Sequence, residues 1–110
     1  MTGPLLPSQV LDGAADWISE HGWARGHYED TDGRCCAVGA FYRVTGNNPY
    51  TRASAPPPKP VLDAIFRACT AVQRKVHHSI ENWNDNYAKD SAEVIDTLRA
   101  VAATEREAGR

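Results

Sequence analysis

The chain reads as a mainly α-helical, small single domain of about four helices, with one short strand-turn excursion between the first two. Three observations carry this reading. Apolar residues recur at steps of three and four over several separate stretches. Glycine or clustered Asn and Asp closes each stretch. With 110 residues, 42% hydrophobic and 24% charged, the chain can bury one core without staples.

Residues 1–7 hold two prolines and read as an N-terminal arm. Ser8 is placed to accept from the free amides of a following helix. Val10, Ala14, Trp17, Ile18 and His21 mark its buried stripe, with Trp17 as anchor. This first helix is expected over about Gln9 to His21, and Gly22 supplies the positive φ that ends it.

Trp23 to Glu29 alternates and carries aromatics, as a short extended segment does. Asp32-Gly33 is a turn signal. Cys36, Val38, Phe41, Tyr42 and Thr45 then fit a short helix closed by Gly46, with Gly39 and Ala40 giving it a face that another backbone can approach. Residues 47–59 form a stiff proline-rich loop, suited to meeting a partner.

Pro60 suits the first turn of a third helix. Leu62, Ile65, Phe66, Cys69, Val72, Val76, Ile80 and Trp83 extend it to Trp83, where Asn82 to Asn86 stop it. Asp90 caps the last helix, with Glu93 three residues on as in a capping box. Val94, Ile95, Leu98, Val101 and Ala102 are its buried stripe. The third and last helices, joined by a short loop, are expected to pair as an antiparallel hairpin.

A net charge of −2 argues against a general nucleic-acid binder, which needs a concentrated positive field. Arg67, Arg74 and Lys75 form a local basic face on the third helix, by default a solvated one. The apolar runs are far shorter than a bilayer span, and the first residues lack a signal-peptide pattern. A cytoplasmic protein with no membrane contact is expected. Three cysteines, two of them adjacent, read as reduced thiols.

Gly22-Trp23 with Arg25-Gly26, Asp32-Gly33 leading into Cys36-Ala37-Val38-Gly39-Ala40, and Ile80 with Trp83-Asn84-Asp85 follow one another in order, before a last helix carrying Glu93-Val94 and Leu98. In these motifs the chain resembles a family of small proteins of unknown function from actinobacteria and their phages. The resemblance implies an uncharacterised protein and transfers no catalytic residue.

Cys36 at a helix start is the candidate nucleophile, with His77 or His78 as base and Asn84 or Asp85 to orient it. Nothing in the spacing brings a histidine to the sulfur, and a compact apolar filler is the plainer role. The cysteines and histidines lack the paired spacing of a zinc site, so neither a metal nor another cofactor is expected. Trp23, Arg25, Cys36, Gly39, Trp83, Asn84 and Asp85 read as fold determinants, with Asp85 paired to Arg25.

A non-catalytic binding protein is therefore the leading expectation. It would act through Tyr28, Asp32, Arg34, Tyr50, Arg52 and Pro57, on the two loops. Its partner would be a protein, a host factor if a phage carries the gene, or a second copy in a homodimer; nucleic acid is disfavoured. The alternative is a Cys36-dependent enzyme.

Overall fold

The computed structural model describes residues 5–51 and 53–110, so the first four residues of the expected arm and Arg52 lie outside the described residues. The fold is mainly helical. α1 (Pro7–His21) takes Pro7 into its first turn, where a missing amide costs nothing. Ser8, the expected cap, is instead buried inside the helix at 2% exposure. Gln9 does the capping: its Oε1 accepts the Leu6 amide at 2.8 Å. Val10, Leu11, Ala14, Ala15 and Ile18 form the buried face, while Trp17 is half-buried and His21 exposed. Gly22 ends the helix at φ 101.

The expected strand is absent among the described residues. Two isolated bridges, Trp23 to Cys35 and Glu29 to Cys35, hold residues 22–36 as a folded loop. Asp30 organises its tip, accepting from the amides of Asp32 (2.9 Å) and Arg34 (3.0 Å) and from Arg34 Nε (2.6 Å). Gly33 supplies the positive φ of the turn.

α2 (Ala37–Val44) follows, with Cys36 at its N-cap and Val38, Phe41 and Tyr42 buried as expected. A single turn of 3₁₀ helix, Pro49–Thr51, interrupts the proline-rich loop.

α3 (Lys59–Val76) stops seven residues short of the expected end. His77 adopts φ 62, a left-handed conformation that breaks the helix. Gln73 Oε1 then accepts the Ile80 amide at 3.0 Å, and Ser79 Oγ caps α4 (Ile80–Asn82) through the Asn82 amide. α4 widens into a π turn, Trp83–Tyr87.

The buried face of α3 is also rotated from the expected stripe. Ala64, Ile65, Ala68, Ala71 and Val72 face the core, whereas Phe66 is 58% exposed and Cys69 half-buried. Small alanines let α3 approach its neighbours, and the bulkier side chains are left on a groove.

α5 (Ser91–Glu107) starts as expected at Asp90, whose carboxylate accepts the Glu93 amide at 2.9 Å. Glu93 reaches back to the Lys89 amide rather than to Asp90. The expected hairpin of α3 with α5 gives way to packing of α5 chiefly on α1. Arg99 bonds Asp16 at 2.7 Å, and Arg106 pairs with Asp12, so ion pairs line this seam.

One close approach fixes how the 22–36 loop sits on α2. A Cβ built on Gly39 would lie 1.8 Å from the Tyr28 carbonyl oxygen. That carbonyl accepts the Cys36 amide at 3.2 Å, so it cannot withdraw without losing a bond. Gly39→Ala should therefore lower stability by about 3 kcal/mol, as overpacking does. Urea unfolding measures this; an unchanged midpoint would mean the Tyr28 backbone moves aside freely.

Candidate functional site

The two motif clusters meet, and the Asn84 carboxamide joins them. Its Oδ1 accepts from Trp23 Nε1 at 2.8 Å and from the Ala37 amide at 3.1 Å. Its Nδ2 donates to the Ala24 carbonyl at 3.1 Å and to Asp85 Oδ1 at 3.0 Å. Asn84 is 1% exposed and uses both of its polar atoms, the condition for burying an amide cheaply.

Asp85 completes the network by accepting the Gly26 amide at 2.8 Å. The expected pairing of Asp85 with Arg25 does not form. Arg25 lies over the Trp23 ring, 4.6 Å from its centroid, and donates to the carbonyls of Ala88 and Lys89. The π turn makes this possible: it sets the consecutive Asn84 and Asp85 both against the 24–26 backbone. Trp83, 4% exposed, anchors the turn in the core.

Beside this network opens a cavity of about 310 Å³, lined by Gly26, His27, Tyr28, Cys36, Val38, Tyr50, Glu81, Asn84 and Asp85. It shares Tyr28, Val38 and Glu81 with a second cleft of about 440 Å³, which runs past Phe66, Cys69, Gln73 and Ile80. Tyr50 closes the other end. Its hydroxyl donates to the Glu29 carbonyl at 2.7 Å and accepts the Glu29 amide at 3.1 Å, and its ring meets Tyr28 edge-on at 5.7 Å. Glu29 in turn holds Arg43 through Oε1. The groove therefore carries exposed aromatic surface at Tyr50 and Phe66 and two carboxylates at Glu81 and Asp85.

Cys36 sits on this cavity but is engaged as a cap: its sulfur accepts the Gly39 amide at 3.3 Å. Burial pushes its pKa up to about 11, and Asp85 and Glu81 add to the rise against the opposing helix amides. Burial likewise lifts Cys35 to about 11, and burial with Glu81 and Cys36 lifts Cys69 to about 12. A reactive thiolate needs the opposite, an electropositive and partly open setting. Among the described residues the buried Trp17 Nε1 has no hydrogen-bond acceptor of normal geometry, and it lies against the Cys35 sulfur.

The histidines named as bases lie elsewhere. His77 is the exposed C-cap of α3, and His78 stacks on Tyr87 at 3.9 Å. His27 lines the cavity with Cys36, yet no hydrogen bond joins them among the described residues. Its sequence setting, Gly26-His27-Tyr28, holds no signal that would have singled it out as a base for Cys36. Among the described residues no three His, Cys, Asp or Glu side chains cluster as a metal site requires.

Of the nominated binding residues, Tyr28 and Tyr50 come together at the groove, while Asp32 and Arg34 form the exposed turn nearby, paired at 3.3 Å. Pro57 is buried and anchors its loop instead of presenting a surface. Arg52 lies outside the described residues. No helix among the described residues is long and apolar enough to cross a membrane.

A model of a family of unknown function, DUF6197, matches residues 2–104. No curated protein and no solved structure matches the chain.

Two outcomes follow from the site. Asn84→Asp puts a carboxylate oxygen against the Ala24 carbonyl and Asp85, and should cost about 3 kcal/mol at neutral pH. The loss should shrink in acid, where the new carboxyl regains a proton to donate; equal destabilisation at pH 7 and 4.5 would contradict the network. The thiols give the second. Their raised pKa values mean that the stability tied to keeping them protonated is complete below about pH 9 and drains away as pH climbs through 11. At pH 8 alkylation of folded Cys36 should run about 100-fold slower than for an ordinary thiol, since its pKa stands near 11 against 9.0. Burst labelling before denaturant is added would contradict this.

Proposed function

The chain belongs to DUF6197, a family of unknown function, and we propose that it is a non-catalytic binding protein that takes a short segment of a partner protein into the groove beside Tyr28 and Tyr50. The observation that carries this reading is the convergence of the two loops. The Tyr50 hydroxyl ties the proline-rich loop to the backbone of Glu29, beside a continuous groove about 310 and 440 Å³ in its two parts.

The groove's chemistry indicates the segment. Tyr50 and Phe66 are 57% and 58% exposed and offer apolar surface to an anchoring side chain. Glu81 and Asp85 line the wall beside them, so Lys or Arg next to that anchor meets opposite charge. Where a phage carries the gene, the partner is a host protein.

A thiol enzyme is the competing reading, favoured by Cys36 and His27 lining one cavity. The capping bond of Cys36 to Gly39 and its raised pKa speak for a structural thiol instead.

Selection from a random-peptide display library tests the proposal. Enriched sequences should pair an aromatic or aliphatic residue with Lys or Arg. Phe66→Ser and Glu81→Lys, both at exposed positions, should each weaken the selected peptide about tenfold or more. No enrichment, or peptides indifferent to both changes, would remove the groove from consideration.

A further inference from the structure

α3 and α5 enclose a second kind of cleft, which borders the groove at Thr70. It measures about 300 Å³, and Arg74, Lys75 and Arg110 line it together with Glu105. It continues into a space of about 270 Å³ that shares Arg74, Glu105 and Arg110 and adds Arg67 and Thr70. Arg67, Thr70 and Arg74 fall on one helix face by their spacing. Four cationic side chains thus line one concavity, with Glu105 the one acidic side chain among the described residues that line it.

That carboxylate is already committed. Glu105 is 5% exposed and accepts from Arg110 Nε at 2.9 Å and Nη2 at 3.2 Å. Arg67, Arg74 and Lys75 have no carboxylate within ion-pair distance among the described residues. The C-terminal dipole of α3 accounts for cations at Arg74 and Lys75, in its last turn. It does not account for Arg67, in mid-helix, or for Arg110, which arrives from beyond α5. Like charges so gathered repel one another, and an anion between them relieves that cost.

We propose that this cleft is a binding site for a small anion bearing at least two negative charges, of the organic phosphate class. Planar guanidinium groups suit phosphate oxygens in pairs, and Lys75 adds a point charge. Ala71 and Val101 supply an apolar wall for the uncharged part of the ligand. The volume matches a small molecule. An extended nucleic-acid strand fits less well, because the cations line one concavity on a chain of net charge −2.

Inorganic pyrophosphate is the probe, titrated calorimetrically into the full chain at low ionic strength. Saturable binding at one site, weakening as salt rises, is the expected result. Arg74→Gln and Lys75→Gln, at exposed positions, should each lower affinity about tenfold or more while the unliganded chain still melts in one cooperative transition. Pyrophosphate should raise the melting temperature of the parent chain and much less that of the double variant. Absence of saturable binding at millimolar pyrophosphate would overturn the site. So would variants that bind like the parent, or a single-stranded oligonucleotide that binds where pyrophosphate does not.

Discussion

A single buried carboxamide holds the distant parts of this protein in register. Asn84 bonds the indole of Trp23, the carbonyl of Ala24 and the first amide of α2. A buried polar group left unpaired costs more than a paired one contributes, so the arrangement is close to all-or-none. If the π turn shifts, several donors and acceptors lose their partners at once. Among the described residues the 22–36 loop has isolated bridges rather than strand pairing to fall back on. Its position depends on Asn84, on Asp85 and on the contact of Tyr28 with Gly39.

The same network explains why a groove exists beside it. Asn84 and Asp85 pull the 24–26 backbone toward α4, and Tyr28 is pressed against Gly39. Between those two restraints a cavity remains, with Cys36 at its inner side. Tyr50 then fixes the proline-rich loop at its rim. Recognition surface and fold determinant are adjacent here because the loop that lines the groove is the loop the network secures. The thiol on the inner side is held by a helix amide and faced by carboxylates, an environment that favours its protonated form.

Charge is distributed to match. Acidic side chains line the aromatic groove, whereas the cations of α3 gather with Arg110 on the cleft between α3 and α5. A near-neutral total conceals two surfaces of opposite sign, which is why net charge says little about what a small domain binds. Exposed ion pairs between α1 and α5 add little energy singly, so the packing of their apolar faces carries that contact.

The helical class, the positions of α1, α2 and α5, the Gly22 stop, the Asp90 cap and the small-residue contact at Gly39 were all legible in the amino-acid sequence. Each depends on local periodicity, capping chemistry or the missing Cβ of glycine, and these act over a few residues. The break at His77 was not legible, because the apolar spacing runs straight through it. Phe66 and Cys69 scored as core by spacing alone, yet alanines won the buried face. Which of two overlapping stripes is buried depends on how closely the partner helices approach. The partners of Asn84, Asp85 and Arg25, and the shared wall of Cys36 and His27, join residues up to sixty-odd positions apart. Only the closed tertiary structure decides such pairings, since any of several donors could satisfy a given acceptor until packing fixes which ones come within reach.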